Sequence, residues 1–393
     1  MFHSRLNGTL NRRTLLAAGA LMTLAACSVI PKGPRYTPPP PPPTKAPSSS
    51  TLPMDGGQHR VALLVPTTGP NGAAGQSIAN AATMALLDTG AKDLRVTTYD
   101  TATGATAAAQ HALADGNGLI LGPLLSDDVS AVIAVARPAH VPLVTFSNDE
   151  TIAAKDVFVM GNLPGASMAR TISYAQSQGV NVFSALVPRG EYGDRASAAL
   201  LQTARAKGSK VLNMQTYDRS AASITAAAQR LRAQGGYQAV LIADGGSLSS
   251  SAATALKSRG MPAGSPRLLG TELWSGDKAI TANPALSGAW FASVSDARFP
   301  RFAASYRTRY GKTPYRIATL GYDGVLLTLR AARDWQAGRP FPVSSLINPD
   351  GFLGLDGAFR FGRDGVIERA LEVREIRPGG ATVISPAPTS FAK

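Results

Sequence analysis

The chain has 393 residues, a formal net charge of +14, 44% hydrophobic and 16% charged residues, and a single cysteine. That apolar content excludes a disordered chain, and one cysteine excludes a framework of internal disulfides. The length exceeds the usual size of one hydrophobic core, so two domains or lobes are expected.

In chain order, the first segment has the layout of a secretion signal. Arg5, Arg12 and Arg13 give a positive start, and no acidic residue precedes Cys27. Leu15 to Ala26 is an apolar run, shorter than the roughly 20 residues that a membrane-spanning helix needs. It closes as Leu24-Ala25-Ala26-Cys27, which resembles a lipoprotein signal-peptidase site. Residues 1–26 are therefore expected to be a lipoprotein signal peptide, with Cys27 lipidated and anchored by two or more acyl chains. Asn11 to Leu16 also resembles a twin-arginine export signal. Ser28, by the habit of lipoproteins, favours the outer membrane.

Residues 27–57 contain Pro38 through Pro43 and Ser48-Ser49-Ser50, with few large apolar groups to offset their ordering entropy. Proline makes such a tether an extended polyproline-like chain, and at about 3.1 Å per residue it would reach on the order of 90 Å. Loss of Arg5, Arg12 and Arg13 with the signal takes the charge from +14 to +11. A periplasmic location argues against nucleic acid as the partner for that charge. The arginines are scattered and read as a solvated basic surface, with anionic envelope polymers or an acidic protein face as the alternative.

From residue 58 onward, short apolar runs alternate with helical patterns. Val61-Ala62-Leu63-Leu64-Val65 reads as a buried parallel strand. Ile78, Ala82, Ala85 and Leu86 then fall on one helical face, ending near Gly90. Strands are expected at Leu94–Tyr99, Leu119–Leu121, Val141–Phe146, Val182–Val187, Val211–Tyr217, Ala239–Ala243 and Leu268–Leu269. Helices are expected at Thr106–Ala114, after Ser126, and at Ala166–Gln178, Asp194–Ala206, Ile224–Ala233 and Ser250–Ser258. Further on, Trp290–Val294 reads as a strand, and Pro300–Tyr310 and Ile317–Trp335 as helices. Ala358–Phe361 and Leu371–Ile376 read as a closing hairpin across Arg363-Asp364-Gly365. The alternation implies an α/β chain of two doubly wound lobes with parallel sheets and right-handed crossovers.

Enzyme chemistry finds little to work with. There is no Gly-x-Ser-x-Gly elbow, Walker loop or zinc-protease helix motif. His59, His111 and His140 are scattered without metal-ligand spacing, and Cys27 is spoken for by lipidation. Paired carboxylates of the glycosidase kind cannot be matched from sequence. Gly69, Gly72 and Gly75, with Asp100 after the next strand, superficially resemble a dinucleotide loop. Their spacing departs from G-x-G-x-x-G, so they read as turn and close-packing residues. No catalytic residue, metal or cofactor is expected.

Several segments occurring in order carry a family resemblance: Val61 to Pro70, Leu121-Gly122-Pro123-Leu124-Leu125-Ser126, Pro142 to Asn148, Tyr192-Gly193 and Gly270-Thr271-Glu272. Over residues 59 to about 376 the chain resembles the type I periplasmic-binding fold of leucine/isoleucine/valine-binding proteins. The resemblance implies two lobes closing on a ligand across a three-crossing hinge. Lobe one would comprise about 58–160 plus 296–352, and lobe two 161–295 plus 353–393. It implies that Ser126 bonds a ligand carboxylate, that Ser147 and Asn148 contact ligand from their loop, that Tyr192 closes over it, and that Glu272 accepts an ammonium. Each also has a plain structural role open to it: helix cap for Ser126, turn chemistry for Ser147 and Asn148, turn packing for Tyr192, an exposed strand end for Glu272. Two aromatic wall positions of the family stand here as Ala74 and Gly245, which implies an altered pocket.

Anchor, tether and fold together also resemble penicillin-binding protein activators, outer-membrane lipoproteins that stimulate peptidoglycan synthases by protein contacts. The best-known members carry an additional helical-repeat domain, which this sequence does not show. On that resemblance the chain is expected to be a short, non-enzymatic activator in the periplasm. The alternative is a solute-binding lipoprotein for amino acids or short peptides serving an ABC uptake system.

Overall fold

The computed structural model describes residues 57–257, 265–336 and 338–391. Cys27, the signal and the tether lie outside them, so the expected lipidation is not addressed by the fold. No helix among the described residues is long and apolar enough to cross a membrane.

The first lobe is a repeating strand–helix unit. Its elements are β1 (His59–Val65), α1 (Gly72–Thr89), β2 (Leu94–Asp100), α2 (Ala105–Ala114), β3 (Leu119–Leu121), α3 (Ser126–Ala136), β4 (Leu143–Thr145) and β5 (Val157–Val159). The strands form an all-parallel sheet of order β2-β1-β3-β4-β5. β1 has no polar face because neither face meets water: Val61 to Val65 are fully buried. Val61, Leu63 and Val65 pack against Ile78 and Ala82 of α1, while Ala62 and Leu64 point to Ala109 of α2 and to Val129 and Val132 of α3. Period two in the strand and 3.6 in the helices together make a double-sided core.

The second lobe repeats the plan with α4 (Pro164–Ser177), β6 (Val182–Pro188), α5 (Glu191–Ala206), β7 (Lys210–Tyr217), α6 (Ala221–Gln234), β8 (Ala239–Ile242), α7 (Gly246–Lys257), β9 (Arg267–Leu269), the short α8 (Lys278–Thr281) and β10 (Trp290–Ser293). Met168, Ile172 and Leu200 cover one face of its sheet, and Ile224, Leu231 and Leu256 the other. The chain then returns to the first lobe through α9 (Phe299–Tyr310) and α10 (Thr319–Ala331). Leu320, Val325 and Leu327 of α10 join the core of Val61 and Leu63.

The last third departs most from the sequence reading. β12 (Gly357–Phe361) pairs antiparallel with β11 (Phe352–Gly354) on one side and β13 (Ile367–Arg369) on the other. The hairpin through Asp364-Gly365 therefore joins β12 to β13, not to Leu371–Ile376. That second segment becomes β14 (Glu372–Arg377), which pairs with β10 and with β15 (Gly380–Ser385) in the order β15-β14-β10-β9-β8-β6-β7. The reason is packing: Phe359, Phe361 and Ile367 bury in the first lobe's core, while Val373 and Ile376 bury in the second. Residues 352–369 thus sit with the first lobe, and the third crossing falls at 370–371 rather than at the expected 352–353. The other two crossings run through 160–163 and 294–298. α10 also stops at Ala331, short of the expected Trp335, and continues only as a 3-10 turn to Asp334.

Candidate functional site

Glu272 is placed by three neighbours. β9 ends at Leu269, and Gly270 lies so close to the indole of Trp274 that a Cβ at 270 would overlap the ring. Trp274 is fully buried and donates through Nε1 to the carbonyl of Asp244 at 2.8 Å. Thr271 caps the 3-10 turn Glu272–Trp274. The motif Gly270-Thr271-Glu272 thus turns the glutamate off the carboxyl end of the sheet, where open parallel sheets bind ligands. From α5, the Tyr192 hydroxyl lies 3.0 Å from Thr271 Oγ1 and 3.1 Å from Glu272 Oε1. Burial pushes the Glu272 carboxyl above the usual carboxylate range, and the hydroxyls of Tyr192 and Ser167 pull the other way. Its Oε2 is buried with no hydrogen-bond partner.

Glu272 forms part of the wall of a cavity of about 300 Å³ at the junction of the lobes. All three crossings contribute: Asn162 and Leu163 from the first, Val294 from the second, Leu371 from the third. Ala166, Ile317 and Ile367 extend the apolar lining, while Ser167, Ser293, Arg316 and Arg369 supply polar groups. This mixture of apolar wall and a few polar groups is what a small-ligand site requires. A larger hollow of about 680 Å³ lies over α6 and α7. Its Ser250, Ser251 and Thr254 hydroxyls already donate to backbone carbonyls, so it offers few free polar groups.

A charge network flanks the cavity. Arg316 Nη1 donates to Asp356 at 2.6 Å and its Nη2 to Asp296 at 3.2 Å. Asp296, in the second crossing, also pairs with Arg374, which holds Glu372 at 2.6 Å. Burial works against the charge of Arg316, but Asp356 and Asp296 outweigh it and hold its pKa above the ordinary value.

The other residues named by the resemblance are differently placed. Ser126 is the first residue of α3; the cap position falls on Leu125, which makes no side-chain capping bond, so Ser126 is not the cap the sequence suggested. Ser147 is buried, and its hydroxyl accepts from the Asp149 N–H at 3.1 Å, which is turn chemistry. Asn148 is exposed. None of Ser126, Ser147 and Asn148 lines the hinge cavity, which takes Glu272 directly and Tyr192 through Glu272. At Gly245 an added Cβ would lie 3.2 Å from Leu273 Cβ, so Leu273 occupies the space where the resemblance implied an aromatic wall. Arg316, Arg369 and Asn162 were missed from the sequence. Arg369 follows Ile367 and Glu368 in a short alternating strand, a pattern that reads as solvent-facing.

The comparisons agree with this architecture. Residues 58–381 match the family model described as periplasmic binding protein, and the chain belongs to that family. Membership places the folded part in the periplasm. A crystal structure of a putative branched-chain amino acid ABC transporter protein from Rhodospirillum rubrum superposes with a TM-score of 0.74 at 20% identity, over 83% of this chain and 100% of that one. A Rhodopseudomonas palustris solute-binding protein in complex with 3,4-dihydroxybenzoic acid gives 0.64 at 19%, over 86% and 98%. The isoleucine complex of the LivJ branched-chain amino acid binding protein from Streptococcus pneumoniae gives 0.60 at 18%, over 84% and 100%. At these identities the likeness is one of fold. An uncharacterized protein of Rickettsia prowazekii is 27% identical over 173 residues, 44% of this chain and 46% of that protein, so the match spans about half of the curated relative's length.

Proposed function

We propose that the protein is a non-enzymatic receptor for a small organic solute, an amino acid or an aromatic acid, held between its lobes and passed to an ABC uptake system. The observation that carries this is Glu272, a buried carboxyl bonded by Tyr192 that keeps one acceptor atom unsatisfied on the wall of a cavity at the hinge. The structural relatives named above are transport receptors for amino acids and benzoates. They support the solute-binding alternative over the activator role. A cavity of about 300 Å³ suits a single amino acid or aromatic acid better than a peptide. Lipid anchoring at Cys27 belongs to the same proposal and rests on the signal-like N-terminal run.

The test is a thermal-shift and calorimetric screen with leucine, isoleucine, benzoate and 4-hydroxybenzoate. A ligand at about 100 times its Kd should add roughly 2.7 kcal/mol of stability. The shift should vanish in Glu272→Ala. Stability unmoved by all four compounds would remove the receptor reading.

A further inference from the structure

Three groups on the wall of the hinge cavity carry buried polar atoms with no hydrogen-bond partner: Arg369 at Nε and Nη1, Glu272 at Oε2 and Asn162 at Oδ1. An unsatisfied buried donor or acceptor destabilises the fold, and a charged one more so. Three in one small cavity, two of them ionisable and of opposite sign, ask for a molecule with an acceptor at one end and a donor at the other.

Arg369 is the least explained of the three. It ends β13 beside the third crossing, its guanidinium 5.3 Å from the centre of the Phe359 ring. Nη2 donates to the Met160 carbonyl in the first crossing at 2.7 Å. The nearby acids Asp356 and Asp323 favour its charge against burial without bonding it, and their oxygens are engaged elsewhere. Asp356 accepts from Arg316 at 2.6 Å and from Thr319 at 2.9 Å. Asp323 accepts from the Leu355 N–H at 2.6 Å. A guanidinium with two unused donor nitrogens and no carboxylate bonded to it suits an incoming anion.

We propose that Arg369 is the anion anchor of this receptor: the carboxylate of a small organic acid sits in the hinge cavity against Arg369. Its body rests on Leu163, Val294 and Ile317, and its donor end meets Glu272 and Asn162. This rests on the receptor reading and moves the carboxylate from Ser126, where the family resemblance put it, to the hinge. A ligand there touches all three crossings and thereby couples occupancy to closure.

The experiment pairs each acid with its uncharged amide: leucine with leucinamide, benzoate with benzamide, 4-hydroxybenzoate with 4-hydroxybenzamide, measured by calorimetry on the wild-type protein. At least one acid should bind, and its amide should bind about tenfold or more weakly, the worth of one charge-assisted hydrogen bond. Arg369→Met should lose affinity for that acid by a similar factor, and Ser126→Ala should stay within about twofold. The wild-type pairs decide the matter even where Arg369→Met folds poorly. An amide binding as well as its acid, or affinity lost in Ser126→Ala and kept in Arg369→Met, overturns the anchor alone. No binding by any acid or amide overturns the receptor reading and the anchor with it.

Discussion

Asp323 shows how far one buried carboxyl can set the acid–base behaviour of the fold. It is fully buried in α10, and burial followed by the charge of Asp356 pushes its pKa up to about 7, against the pull of the Leu355 N–H, the Arg369 guanidinium and the Asp356 N–H. The sign follows from proton counting. Between about pH 4 and 7 the folded protein holds a proton that the unfolded chain has released, so stability falls as pH rises through that window. Asp323→Asn keeps the oxygen that accepts from Leu355 and removes the titration. The unfolding free energy from urea titration should drop between pH 5 and 7.5 in the wild type, by roughly 2–3 kcal/mol from this group. The drop should shrink in Asp323→Asn; an identical slope in both proteins would assign the pH dependence elsewhere.

At the scale of elements, the two lobes open with the same device. β1 runs into Pro66 and β6 into Pro188, and in each case a glycine in the first turns of the next helix, Gly75 or Gly193, packs on the carbonyl of that proline. A Cβ at 193 would overlap the Pro188 oxygen, which is backbone and cannot rotate away. Alanine gains about 1 kcal/mol in helix propensity. Overpacking against backbone costs about 1–3 kcal/mol or more and should win. Gly193→Ala is therefore expected to lower stability by roughly 2 kcal/mol in chemical denaturation. Gly165→Ala, whose Cβ would meet Ala199 at 3.6 Å, should be neutral or stabilising by a few tenths of a kcal/mol. Equal effects at the two positions would refute the close-packing account. These units were legible because each strand is apolar on both faces and each helix has its own stripe. β5 went unread because Val157-Phe158-Val159 is only three residues long and follows Lys155-Asp156. Of the strands in 352–385, β12 and β14 were read but wrongly paired with each other, while β11, β13 and β15 went unread; sequence neighbourhood favours a local hairpin, and only packing sends β13 and β14 to different cores. The site divides the same way. Glu272 and Tyr192 stand in the short turn and the helix start that follow recognisable strands, whereas Arg369 ends β13, a strand whose place depended on that pairing.

For the whole molecule, the distribution of contacts across the cleft decides how it opens. The hinge side is held by the Asp356–Arg316–Asp296–Arg374 chain, which links both lobes to the second crossing. Away from the hinge, Arg195 of α5 forms an ion pair across the lobes to Asp149 in the loop after β4, at 2.9 Å. Arg195 also pairs with Glu191 in its own helix, and Asp149 accepts from the Thr151 N–H and hydroxyl, so both partners are oriented before they meet. Their side chains are 23% and 11% exposed, which makes the pair worth more than a solvated surface bridge of about 0–1 kcal/mol. A bridge of about 1 kcal/mol biases a two-state equilibrium about fivefold, enough to change which lobe arrangement predominates. Arg195→Ala should shift the molecule toward the open form, increasing the radius of gyration in solution scattering without ligand. It should weaken ligand binding by a similar factor, because closure must then be driven by the ligand alone. Arg195→Lys, which keeps the charge, should recover most of both effects. A radius of gyration unchanged in Arg195→Ala would mean that closure is governed at the hinge, and Asp296→Asn would become the variant that opens the cleft.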